Sequence, residues 1–137
     1  MSPALIAAML QLARSVLDTA SSRRSDRARD ERQRAELDFE RTRMDHEFRL
    51  ERLKLDVQQL RFEMDKWTWE RDHAKSDESR KHADDERWKS EAQYRKRTEE
   101  YERTEAEVGV VRRMADAVKG GNRQEVEDIV RGLVKLE

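Results

Sequence analysis

The chain has 137 residues, of which 45% are charged, 35% hydrophobic and 6% aromatic, with four Gly, one Pro and no Cys. Disulfide scaffolds, thiolate metal sites and collagen-like repeats are therefore excluded, and the scarcity of Gly and Pro turns argues against a β or α/β fold. The 30 Lys plus Arg nearly cancel the 31 Asp plus Glu, so global charge points neither to nucleic acid nor to an acidic solvating tail. What this composition predicts is an all-α, elongated helical protein, with too little apolar surface to close a large core on itself.

The first element is an apolar N-terminal helix over residues 1–20. Ser2-Pro3 opens it, since Pro at the first helical position gives up an N–H that had no partner anyway. Gln11, Arg14, Ser15 and Asp18 fall at i, i+3, i+4 and i+7 and form one narrow wet stripe. Leu5, Ile6, Met9, Leu10, Leu12, Val16 and Leu17 supply the apolar contact, expected to be shared among several copies or offered to a membrane through residues 1–20. No basic residues precede the run and no small-x-small cleavage site follows it, so the expectation is no secretory signal. The protein is then cytoplasmic at synthesis, with later incorporation in a virion or peripheral attachment to a membrane left open. Arg14 and Asp18 interrupt the run too early for an ordinary transmembrane span.

A polar break at Ser21, Ser22 and Ser25 precedes the second element, a long charged helix assigned to residues 21–119. Between Asp26 and Lys119 there is no Pro and the only Gly is Gly109, so no strong breaker interrupts it. Acid-before-base pairs at i, i+4, such as Asp45/Arg49, Asp77/Lys81, Asp85/Lys89 and Glu91/Arg95, support helix by about 0.2–0.5 kcal/mol each. Arg23 to Arg34 is locally basic, six Arg against three acids. Arg23, Arg24 and Arg27 are its candidate phosphate contacts, but interleaved acids and the lack of stacking aromatics argue against sequence-specific nucleic-acid binding.

Phe48 to Trp69 carries most information. With Leu50 as heptad position a, the a and d positions are Leu50, Leu53, Val57, Leu60, Met64 and Trp67, an oligomer seam of coiled-coil type. Position f is apolar throughout, with Phe48, Leu55, Phe62 and Trp69, whereas every b, c, e and g residue in the window is polar. At 100° per residue the f line lies opposite the a/d seam, so the helix has a second apolar edge that needs its own cover. Neighbours on both sides fit the wall of a ring or tube; the competing arrangement is a hairpin bundle with the same chain on one side and a symmetry mate on the other. Beyond Trp69 the seam becomes charged, and the apolar phase resumes two residues out of step: Tyr94, Tyr101, Val108 and Ala115 on one line, Thr104, Val111 and Val118 on the other.

Lys119-Gly120-Gly121 ends this element, and residues 120–137 form a C-terminal hairpin helix. Asn122 with Glu125 reads as a variant capping box, and Val126, Ile129, Val130, Leu133 and Val134 make a face that folds back on Val108, Val111, Ala115 and Val118.

For chemistry the residues offer little. Glu78, His82 and Glu86 line up at i, i+4, i+8 without evident closing ligands, His46 reads as a core-flanking histidine, and no Cys or phosphate loop is present. The expectation is a non-enzymatic structural protein without metal or cofactor that assembles with itself into a ring, tube or bundle, and with other structural proteins of the same assembly. A membrane-active conduit and a nucleic-acid-organising coiled coil are the alternatives. In organisation, an apolar N-terminal helix followed by a charged helical shaft, the chain resembles the small helical proteins that phages build into virions or eject through the envelope.

Overall fold

The computed structural model describes residues 1–17 and 26–136 and is all-α: α1 (Pro3–Leu17), α2 (Asp26–Asp72), α3 (Asp77–Lys119) and α4 (Arg123–Leu136). The polar joint expected at Ser21 to Ser25 lies outside the described residues, as do Asp18, Arg23 and Arg24.

The long charged element is not one helix. It stops at Asp72 and restarts at Asp77, and the break is made without Gly or Pro. Ala74 N–H turns back to the Arg71 carbonyl at 3.3 Å, three residues behind instead of four, which tightens the last turn. Ser76 then caps α3: its Oγ accepts the Ser79 N–H at 3.1 Å, and its carbonyl accepts the Arg80 N–H at 3.0 Å. Asp77 and Glu78 follow in the first turn, at the positive end of the dipole. The signal is an N-cap serine followed by two acids.

The described chain divides into two compact units, Met1–Glu47 with Ala106–Glu137, and Phe48–Glu105. In the first unit, Leu5, Met9 and Leu12 of α1 pack with Ala35 and Phe39 of α2, Val111, Met114 and Ala117 of α3, and Val126, Ile129 and Leu133 of α4. Of the other N-terminal contact residues, Ile6 is buried in this cluster, and Leu10, Val16 and Leu17 lie partly buried against it. The apolar face expected to meet other copies is thus occupied by the chain's own bundle. Gln11 and Arg14, on the wet stripe, are exposed.

Polar contacts tie the ends of this unit together. Arg123 donates to the Leu17 carbonyl at 2.7 Å, and Arg112 reaches Glu47 at 3.2 Å. His46 places Nε2 3.8 Å from Glu107 and Nδ1 3.0 Å from the Thr42 carbonyl. Gly121 takes φ +65°, with Asn122 N–H on the Ala117 carbonyl at 2.9 Å and Gly121 N–H on Val118 at 3.2 Å, a complete Schellman ending.

Asn122 caps α4 through Oδ1, which accepts the Glu125 N–H at 3.1 Å. The second half of the expected capping box is absent because Glu125 pairs with Arg113 and the Asn122 N–H is already used by Ala117. Of the expected C-terminal face, Val126, Ile129 and Leu133 are buried and Val134 is exposed, while Met114, outside the face expected from periodicity, is fully buried opposite.

Phe39→Ala should lower the stability of this bundle by about 3–5 kcal/mol, whereas Leu37→Ala, two residues away and 69% exposed, should stay within about 0.5 kcal/mol. Urea unfolding at a fixed low protein concentration measures both. Ser76→Ala removes the cap of α3 and should cost about 0.5–2 kcal/mol in the same assay.

Candidate interaction surface

The second unit is an antiparallel pair made from the end of α2 and the beginning of α3. Its pairing is marked by Arg87 Nε donating to Thr68 Oγ1 at 2.9 Å, by Arg71 and Asp84 at 3.6 Å, and by the edge-to-face rings of Trp67 and His82, 5.6 Å apart. Sequential helices joined by the short turn at 73–76 have no other direct way to bury a seam.

The a/d residues of α2 line this contact. Leu50 and Leu53 are buried, and Val57, Leu60, Met64 and Trp67 are half-buried. Periodicity assigns them to an oligomer seam, but what covers them is α3 of the same chain. On α3 the inward residues include Ala83, Ser90 and Thr104, spaced by whole heptads on the line that begins out of phase with α2. The two-residue phase change is therefore not a stutter in one helix. The two phases belong to two helices facing each other across a turn.

This inner contact is modest. The residues that α3 buries fully in it, Ala83, Ser90 and Thr104, are small or polar, and the Thr98 hydroxyl is buried without a hydrogen-bond partner. Partial burial, then the neighbouring Glu105 carboxylate with its hydrogen bond, and finally Glu51, hold the Tyr101 phenol above its ordinary pKa of 10.0.

The opposite edge of α2 has no cover. Phe48, Leu55, Phe62 and Trp69 are between 58 and 73% exposed, one heptad apart. Trp69 stacks on His73, with centroids 4.1 Å apart and planes at 17°, and the His73 Nδ1 lies 2.9 Å from the Trp69 carbonyl, which fixes the ring at the end of the edge. Four large apolar residues in one exposed line are unusual on a protein without a partner.

The flanks of this line differ in sign. Residues three or four positions away lie about 50° to either side of it. Between Phe48 and Trp69 one flank carries Glu51, Gln58 and Asp65 and the other Arg52, Gln59 and Lys66; just before Phe48 they continue with Met44 and Asp45 respectively. Lys66 also holds its Nζ 5.0 Å from the Trp67 ring centre.

Elsewhere the candidate residues do not converge. Arg27 is exposed and 3.5 Å from Glu31, an ordinary surface pair. His82 meets Trp67, and Glu86 takes Lys89 at 3.4 Å. Among the described residues no group of three or more His, Cys, Asp or Glu is placed to hold a metal ion, and no helix is long and apolar enough to cross a membrane. No family model, curated protein or solved structure matches the chain.

Replacing a residue on each edge separates their roles. Leu53→Glu should unfold the α2/α3 pair, because a carboxylate would enter a position only 4% exposed. Leu55→Glu, at 63% exposure, should leave the helicity of the dilute chain unchanged by circular dichroism.

Proposed function

We propose that this is a non-enzymatic structural protein that works by self-assembly through its helices, with the Phe48, Leu55, Phe62 and Trp69 edge of α2 as the assembling surface. The observation that carries this reading is the unequal fate of the two edges of one helix. The inner edge is covered by the chain itself and the outer edge is left bare. Leaving four large apolar side chains in water forgoes a hydrophobic gain of about 25 cal/mol per Å², and a second contact recovers it.

Of the assemblies considered from sequence, the hairpin bundle draws more support than the ring or tube, since one neighbour of α2 is its own chain. The burial of Leu5, Met9 and Leu12 inside the first unit weighs against the membrane-active reading, because α1 would have to leave that core to present the same face to lipid. A virion or ejection component is the setting that the organisation of the chain resembles.

Analytical ultracentrifugation over a range of concentrations tests the proposal. The wild-type chain should sediment as more than one copy, and Phe62→Glu should reduce its mass while far-UV circular dichroism is retained. A wild-type chain that is monomeric throughout the micromolar range would overturn the reading.

A further inference from the structure

We infer that the outer edge of α2 is a two-fold interface between two copies in parallel orientation, in register, with the symmetry axis running along the helices. The inference rests on the assembly reading and specifies its partner and geometry. Of the other large exposed apolar residues, Leu37 and Met44 on α2, Trp88 on α3 and Val134 on α4, no four form a line, so a line of four finds a match of equal length only in the same line of a second copy. Self-matching surfaces of this kind are isologous.

The orientation follows from the charges beside the line. A two-fold axis along the helices carries each flank of one copy onto the opposite flank of the other. A two-fold axis perpendicular to them, which makes the pair antiparallel, sets each flank against itself. Because one flank is basic and the other acidic, the antiparallel pair would oppose Arg52 to a basic residue and Glu51 to an acidic one. The parallel pair brings Arg52 beside the second copy's Glu51, and Lys66 beside its Asp65, on both sides of the seam. Gln58 and Gln59 meet between them as neutral hydrogen-bonding partners.

The apolar area is adequate for a specific pair. Large side chains of about 150–250 Å² at the observed exposure offer on the order of 500 Å² per copy. The two-fold doubles this to about 1,000 Å² before the flanks are counted, the lower bound for a stable interface. A heptad repeat on the outer edge also stays aligned, because α2 is already paired with α3 through the same repeat.

Charge reversal distinguishes the arrangements, with the full-length chain and sedimentation in low salt as the readout. Lys66→Glu sets a new carboxylate against the second copy's Asp65 on both sides of the axis and should raise the dissociation constant about tenfold. Adding Asp65→Lys restores the opposition of charges and should return it to near the wild-type value, which also shows that loss of the Lys66–Trp67 contact is not the cause. Both positions are exposed, and circular dichroism checks that each variant is folded. Tighter association of Lys66→Glu would overturn the parallel orientation in favour of the antiparallel one. An assembled chain indifferent to Lys66→Glu and to Phe62→Glu alike would overturn this interface while leaving self-assembly standing. A chain monomeric throughout would overturn both.

Discussion

A helix with two opposed apolar edges cannot be satisfied by one neighbour, and much of the second unit follows from that geometric fact. The a/d and f lines of α2 are separated by charged positions on both sides, so α3 can cover only one of them. It covers the line that the turn at 73–76 makes accessible. The other line is left with large side chains in water and with flanks that differ in sign. The charged residues that make the chain so polar are the same ones that keep its two apolar lines distinct.

The first unit solves a different problem. There α1 and α4 supply the cover that α3 alone does not give α2, and the result is a core in which Leu5, Met9, Phe39, Met114 and Val126 are almost wholly removed from water. Met1–Glu47 with Ala106–Glu137 thus carries four packed helical segments, and Phe48–Glu105 carries two. The unit with fewer layers exposes the line of four, while the first unit leaves only Leu37, Met44 and Val134 exposed among its large apolar residues in the described chain. A two-helix hairpin buries too little to be strongly stable by itself, so association through α2 would also add stability to the second unit.

Much of this is legible in the residues. The start of α1 at Pro3, its exposed Gln11 and Arg14, the glycine ending at Gly121 and the phase of α4 all rest on local chemistry: a proline without an N–H, an i, i+3, i+4 pattern, a left-handed residue. The heptad sorting of Phe48 to Trp69 places both edges of α2 correctly on its surface. What covers the inner edge is not legible, because periodicity tells which residues seek burial and says nothing of whose side chains bury them. The turn at 73–76 escapes a sequence reading for a related reason. It contains neither Gly nor Pro, and its marker is Ser76 ahead of Asp77 and Glu78, a capping signal easily lost in a chain where nearly every second residue is charged. The change of phase after Trp69 is visible in the residues, and its physical meaning is a change of helix, not a slip within one.

Whether the outer edge of α2 meets its own copy lengthwise is decided by distances between identical positions in two copies. The chain has no cysteine, so single cysteines at Arg49, Lys54, Arg61 and Glu70, all exposed, can each carry one spin label for pulsed dipolar spectroscopy. A parallel, in-register pair gives each of the four positions nearly the same separation. An antiparallel pair gives separations that change by about 3 Å for every residue of displacement from the symmetry axis, twice the helical rise. A constant short distance from Arg49 to Glu70 is expected for the parallel pair; distances that are short at Lys54 and Arg61 and long at both Arg49 and Glu70, or no dipolar coupling at any of the four positions, would contradict it.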